Sequence, residues 1–504
     1  MASRWIIGSW IVPFLTLIAV CGFSYADATG AFFHFDDYWV LSDAARVRID
    51  SPLDLVRFFE PGRNGFALYR PLSTLIYFRG LHALFGFDPA GYHAVQILFH
   101  CLNAILVYVI GRTVLRSVGL GLVTALVYAT APGHAIAVFW MALFTMTGTA
   151  FLYLLSLTSW LCLGPRFRAL VCLPLFVMAL LAGEHAVTLP VSLTLTIVLL
   201  EGRWPGRRDW LALAPFYGVA AAYVGVKVYY FAYVFPVSFP DPFQQAAARQ
   251  AYALSADPVK LLEHLGRYAA FALNVGFPFV DPARPESVAR ALVLGTVVAL
   301  AAVAAIVVAW PGRDVSYRVR AMAFGLVFFP VALAPVLGLV DHLYGYYVGI
   351  AGLGLALATV SGLAAAPRLG SFAVAGWVAL TLIVHATVTW RSVREQGDFG
   401  FLRAYSVSAA RWLYTVERLA QDHPDMTELF VTRNSLTSAL FDDTGTYRLF
   451  LPGLQVSVQT VEEVSSVEPS LGRRTLIAPY VFPPGQPWPG SRPQWDWLRC
   501  PPVS

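Results

Sequence analysis

Residues 91–131 read GYHAVQILFHCLNAILVYVIGRTVLRSVGLGLVTALVYATA, two apolar runs (91–115 and 117–131) that meet near Arg112 and Arg116. A helix needs roughly 20 predominantly apolar residues to cross the hydrocarbon core of a bilayer, so this stretch predicts two membrane spans with a basic connection. Within the first run His93, Gln96, His100 and Asn103 recur at three- and four-residue spacing and share one helical face. A polar stripe turned to lipid is costly, so it must face protein or a cavity. Hydrogen bonding between helices accounts for the stripe as a whole. His93, near the outer end, is also a candidate substrate-binding residue.

The rest of the chain repeats this pattern. Of 504 residues, 58% are hydrophobic and 13% charged, against roughly 45–50% and about 25% in soluble domains. Such a chain cannot cover a water-facing surface, and lipid is the expected surrounding for most of its side chains. The net charge of +5 then belongs to loops that orient helices and is no nucleic-acid footprint. Four of the five cysteines (Cys21, Cys101, Cys162, Cys172) lie in apolar runs without CxxC spacing, which indicates neither a disulfide framework nor a zinc site.

Further spans are predicted at 5–24, 138–162, 168–183, 186–200, 210–235, 287–310, 318–338, 343–363 and 371–390, about 11 in all. The fold class is therefore an all-α polytopic membrane protein over 1–390, followed by a small extramembrane α/β domain over 391–504. Arg4, Arg112, Arg116, Arg166, Arg168, Arg203, Arg207, Arg208, Arg313, Arg318, Arg320 and Arg368 fall on alternate connections. The short loops on the other side, around Gly133, Glu184 and Asp341, hold no Arg or Lys. By the positive-inside rule the N-terminus is cytoplasmic and the C-terminal domain is outside. Ser24-Tyr25-Ala26 faintly resembles a processing site, but the preceding apolar stretch exceeds the 7–15 residues of a signal core, so the helix is expected to be retained.

The first outer loop, 25–90, contains AFFHFDDYWVL (Ala31–Leu41), in which Asp36 and Asp37 stand side by side among aromatics next to the membrane. The segments YWVLSDAARVRI and RPLSTLIYFRGLHALFGF around them read as amphipathic helices lying along the interface. One Asp ahead of a helix is a good N-cap, but a cap needs only one. No GxxxxGK[ST] or GxGxxG motif occurs anywhere in the chain, and nucleotides are scarce outside the cytoplasm. An outer-face enzyme must draw an activated group from the membrane, and a polyprenyl-phosphate-linked sugar is such a donor. Its chemistry needs a base for the acceptor hydroxyl and cations for the departing phosphate. Asp36 and Asp37 are the candidate catalytic residues, at least one as base and the other as a cap.

FHFDDYWVL, YRPLSTLIYFRGLHALFGFDPAGYHAVQILFHCLNA (Tyr69–Ala104), PGHAIAVFW, GEHAVTLPVSL and DHLYGYYVGIAGLGLALA follow one another in an order that resembles the GT-C glycosyltransferases. The likeness is nearest to the membrane half of the tetratricopeptide-repeat protein O-mannosyltransferases and their bacterial relatives, over roughly residues 5–365. It implies an inverting transfer from a lipid-linked donor, with the acidic pair of the first outer loop supplying the base. The chain departs from that pattern at Gly183-Glu184, where the family has Lys-Glu, and at Asp341-His342, where it has an acidic residue and Arg. No tetratricopeptide repeats follow Trp390.

The candidate donor-phosphate and substrate-binding residues are Arg70, His93, Glu184, His185, Lys227, Asp341, His342 and Tyr344. Arg70 could grip a phosphate bidentately or snorkel to headgroups, and Lys227, one of two lysines, faces the same alternatives. His342 is expected to act as a cation that fades as pH rises. Two carboxylates and several histidines could bind a divalent cation, yet no HExxH-like spacing is present and no metal or other cofactor is expected. Expected partners are the lipid-linked sugar, a glycan, lipid or protein acceptor and membrane lipids, with no nucleic acid. Arginine makes up all but two of the 35 basic residues, which suggests a GC-rich bacterial genome and a bacterial inner membrane. The alternatives are a polysaccharide ligase or polymerase and a lipid or solute transporter. The first would concentrate arginines in a late outer loop and the second would show paired repeats with helices broken at the midplane.

Overall fold

The computed structural model describes residues 2–33, 36–46, 51, 54, 59, 69–229, 253–273, 285–340, 342–365, 376, 421–422, 428–433, 455–460 and 475–478. The predicted span 371–390, apart from Gly376, and most of the connection 236–286 lie outside the described residues, as do Asp341 and most of 391–504. The helices are α1 (Ala2–Tyr25), α2 (Asp36–Arg46), α3 (Tyr77–Phe85), α4 (Pro89–Leu115), α5 (Val118–Ala129), α6 (Gly133–Phe139), α7 (Phe144–Cys162), α8 (Pro165–Ala182), α9 (Leu189–Leu195), α10 (Arg207–Tyr229), α11 (Pro258–Ala272), α12 (Pro285–Val308), α13 (Tyr317–Leu337) and α14 (Val348–Ala365).

Local chemistry fixes several of the starts. Asp88, Ser117, Asp257 and Ser316 each stand at an N-cap, where the side chain accepts from Ala90 N, Leu120 N, Val259 N and Val319 N respectively. Each satisfies one of the amide donors that a helix start leaves unpaired. The amphipathic segments of the first outer loop fold as α2 and as a π-helical turn, Pro71–Ile76, running into α3.

The chain is a multi-pass membrane protein. Among the described residues eight helices are long and apolar enough to span, or nine if α5 and α6 count as one bent span. The expectation of 11 needs correction at two places. The run 117–131 is a 12-residue helix that stops at Thr130-Ala131-Pro132 and continues into α6 at a 63° bend. The run 186–200 belongs to a shorter apolar segment, Glu184–Leu200, built of a 3-10 turn, α9 and a π-turn. Proline accounts for the first break, since it donates no hydrogen bond and disfavours helix before it.

The break explains the polar stripe of α4. His100 Nε2 lies 3.0 Å from Ala129 O, Gln96 Nε2 donates to Ala137 O at 2.5 Å, and Asn103 Nδ2 donates to Thr147 O at 3.0 Å. His93 Nδ1 lies 3.4 Å from Val138 O. Ala129 ends α5 and Ala137 and Val138 stand in the last turn of α6, where carbonyls without helical partners must be met internally, while Asn103 ties α4 to the first turn of α7.

The central helices are the segment Met141–Cys162, whose apolar window is 83% buried, and Gly345–Ala365, at 67%; the windows in α8, α10 and α12 are buried to 22–28% and present their apolar sides outward. Between α11 and α12, Gly266 and Gly295 let two backbones touch: a Cβ on either would sit within 1.8 Å of the facing carbonyl. Such close crossings by small residues hold helices together in lipid. Beyond residue 390, β1 (Glu428–Arg433), β2 (Gln455–Thr460) and β3 (Thr475–Ala478) form a parallel sheet in the order β2-β1-β3. Parallel neighbours require crossover connections, which agrees with the α/β character expected there.

The basic connections gather on one side. Arg168 and Arg203 both reach Asp209, Arg320 donates to the carbonyls of Leu199 and Ala309, Arg318 donates to Ala364 O, and Arg116 lies over the Tyr317 ring. The loops without Arg or Lys meet at the opposite end.

Candidate active site

At that opposite end a cleft of about 110 Å³ is walled by four segments: Asp36 and Val40 of α2, then Tyr69, Arg70 and Thr74, then Trp140 to Met146, and lastly His342 to Tyr347. Four residues of the sequence reading, Asp36, Arg70, His342 and Tyr344, line it together.

The two aspartates separate. Asp37 is fully buried, and its Oδ1 accepts from Ala142 N at 2.6 Å. That amide begins the turn Met141–Leu143 leading into α7, so Asp37 caps an orphan donor at a helix start. Asp36, one position earlier, is turned to the cleft wall. The two neighbouring carboxylates thus have different surroundings, one at a backbone amide and one at the cleft.

Arg70 is set by its own backbone. Tyr69 adopts φ +39°, a left-handed conformation unusual for a non-glycine residue. Arg70 O accepts from Thr74 Oγ1 at 2.7 Å, and Ser73 Oγ donates to Ala182 O at 2.6 Å, tying the segment to the end of α8. One residue beyond Gly183, Glu184 takes the Arg70 guanidinium in a fork: Nε donates to Oε2 at 2.9 Å and a terminal nitrogen donates to Oε1. Lys227 Nζ stands 3.7 Å from Glu184 Oε2 and 3.5 Å from Tyr69 O. Lys227 is 8% exposed, so it turns into the protein and does not snorkel to headgroups.

Burial works against a charged Glu184, but Arg70 and Lys227 outweigh it and hold the carboxyl well below the usual carboxylate range. Burial pushes His185 down to about 4, which leaves its imidazole neutral. Burial, aided by Arg70, also lowers His342. His342 Nε2 lies 3.3 Å from Tyr346 Oη, and the lowered pKa works against the cationic role expected of this residue. His93 sits outside the cleft, fully buried in the α4 ladder. His185 lies behind Tyr347, ring centroids 5.1 Å apart. Asp341 is outside the described residues.

Trp140, Tyr69, Tyr346 and Tyr347 also line the cleft and were not singled out by sequence. The signal was present in the aromatic cluster Tyr344–Tyr347, which stands at the turn between two spans.

No family model matches the chain. Over 117 residues it is 36% identical to the protein O-mannosyl-transferase TMTC1 of Mus musculus, a match to 22% of this chain and 12% of that protein. The Homo sapiens protein of the same name is likewise 36% identical over 117 residues, covering 22% of this chain and 13% of its own length. The chain thus matches about an eighth of the length of these curated relatives. Among solved structures, ArnT from Cupriavidus metallidurans in the apo state aligns over 94% of this chain and 90% of that one, with 15% identity and a TM-score of 0.38. The same protein bound to undecaprenyl phosphate aligns over 90% and 87%, with 14% identity and a TM-score of 0.36. The resemblance to O-mannosyltransferases read from the motifs is borne out in sequence.

Proposed function

We propose that the chain is an inverting glycosyltransferase that moves a sugar from a polyprenyl-phosphate donor to an acceptor hydroxyl on the outer face of a bacterial inner membrane. The observation that carries this reading is one cleft holding the Asp36 carboxylate and the Arg70 guanidinium, with Glu184 and Lys227 behind Arg70. Arg70, Glu184 and Lys227 carry one net positive charge, which suits a single phosphodiester.

In the reaction Asp36 accepts the acceptor's proton as its oxygen attacks the anomeric carbon. The bond from that carbon to the phosphate oxygen breaks, and the electron pair leaves with polyprenyl phosphate. Arg70 and Lys227 stabilise the charge that develops on the phosphate, and attack opposite the leaving group inverts the anomeric centre. The likeness of name and sequence to protein O-mannosyl-transferases supports a hexosyl donor. The N-terminus is cytoplasmic and the C-terminal domain periplasmic, and the acceptor is a glycan, lipid or protein that reaches the cleft from outside.

Purified protein in nanodiscs, given a polyprenyl-phosphate hexose and a panel of hydroxyl acceptors, should release polyprenyl phosphate. Movement of intact lipid-linked sugar across the bilayer without release would replace this reading with a transporter. We further propose that no divalent metal takes part, so transfer should persist in excess EDTA; loss restored by added Mg²⁺ or Mn²⁺ would overturn that point.

A further inference from the structure

Tyr347 lines the cleft, and what lies behind its ring has no part in the mechanism above. His185 is 5% exposed, and neither of its ring nitrogens meets a hydrogen-bond partner among the described residues. Tyr268 of α11 is fully buried, its hydroxyl also without a partner, and its ring is 6.3 Å from that of Tyr347 in an edge-on arrangement. Two polar side chains from different elements therefore flank one aromatic at the cleft wall, and three of their donor and acceptor atoms are unmet.

Buried polar groups in folded proteins are nearly always paired, and the exceptions call for an explanation. Nearby, Tyr153 Oη pairs with Ser192 Oγ at 2.6 Å and Thr188 Oγ1 donates to His185 O at 3.3 Å, whereas the Thr149 and Tyr223 hydroxyls are, like that of Tyr268, without a partner among the described residues. What singles out His185 and Tyr268 is that both rings stand against Tyr347, a residue of the cleft wall.

We infer that Tyr347 covers a subsite for the transferred sugar, with His185 and Tyr268 as its hydrogen-bonding floor. The inference rests on the glycosyltransferase reading and adds to it where the sugar lies. A neutral imidazole offers one donor and one acceptor, and a phenol offers both, the set that adjacent sugar hydroxyls require. The ring of Tyr347 supplies a flat apolar surface for the C–H face of a pyranose. His185 also directly follows Glu184, the residue that holds Arg70, so a sugar here adjoins a phosphate on Arg70. For a sugar to reach this floor the Tyr347 ring must swing away from His185, whose ring centroid lies 5.1 Å from its own.

The test compares two lipids on the full-length protein in nanodiscs: bare polyprenyl phosphate and polyprenyl-phosphate mannose. Tyr268→Phe keeps the ring and removes one unpaired hydroxyl, so the thermal midpoint without ligand should hold or rise. The variant should weaken mannose-lipid binding about tenfold and leave bare-lipid affinity unchanged, and His185→Ala should show the same selectivity. Arg70→Gln should weaken both lipids. Equal affinities for the mannose lipid in wild type and Tyr268→Phe would overturn the subsite, as would equal weakening of both lipids. If wild-type protein binds neither lipid, the lipid-donor reading fails, and this inference fails with it.

Discussion

Glu184 and Asp209 each hold two cations, and they stand near opposite ends of α8, about 27 Å apart along an 18-residue helix. At one end Glu184 grips Arg70 and Lys227, whose side chains are 11% and 10% exposed. At the other Asp209 takes Arg203 at 2.6 Å and Arg168 at 3.4 Å, with Arg203 46% exposed and shared with Glu201. The plan is the same and the surroundings differ. The Asp209 carboxylate is itself buried, but its shorter pair is with Arg203, which is half exposed, so solvent screens that pair. In the Glu184 cluster the carboxylate is the more exposed partner, at 29%, while both cations are withdrawn further and Arg70 lines the cleft.

Removing each carboxylate should break the symmetry. Glu184→Ala leaves Arg70 and Lys227 facing each other without a counter-charge, and a buried charge deprived of its partner costs about 3–5 kcal/mol. Asp209→Ala leaves Arg203 half exposed to water and should cost less, about 1–3 kcal/mol. Thermal melting of the two purified variants checks this, and equal losses would remove the distinction. Acid sharpens the same contrast. Glu184 has a folded pKa below its unfolded value, so its contribution is complete above about pH 4.3 and declines as pH falls through the folded pKa. Wild-type melting temperature should fall more steeply below about pH 4.3 than that of Glu184→Gln.

A smaller effect belongs to Asp37. Its carboxylate meets the buried Ala142 amide, and Asp37→Ala should lower stability by about 1–3 kcal/mol, read as a shift in melting temperature; an unshifted midpoint would deny it the capping role. The smallest effect is at His342. Because burial and Arg70 keep its imidazole neutral through the alkaline range, donor affinity should not change between about pH 7 and 9 through this residue, and His342→Gln should follow the wild-type profile there. A wild-type affinity that declines over that range, with His342→Gln flat, would restore a cationic role.

How much of this was legible in the sequence follows from what each signal reports. Hydropathy counts apolar residues, so the spans around 91–115, 138–162 and 318–338 were readable. The break at Pro132 was not, because residues on both sides of it are apolar and the run looks continuous. The stripe on α4 was visible as a face, but its partners are backbone carbonyls freed by that break, which composition cannot show. In the site, Asp36, Arg70, Glu184 and Lys227 stood out as charges near lipid. That Glu184 joins Arg70 to Lys227 depends on segments 114 and 43 residues away meeting at the end of α8. Asp36 and Asp37 were indistinguishable in a linear reading, since a one-residue step along a helix turns a side chain by about 100°, enough to send one to the cleft and the other to the Ala142 amide.

That separation is the central claim, and rates of polyprenyl-phosphate release by Asp36→Asn and Asp37→Asn, measured side by side on folded, purified protein, test it most directly. Asp36→Asn should lose the 10²- to 10⁴-fold that accompanies loss of a general base, roughly as large a loss as this chemistry shows. Asp37→Asn, which keeps an oxygen for the Ala142 amide, should stay within about tenfold of wild type. The reverse order, with Asp36→Asn active and Asp37→Asn dead, would contradict the account.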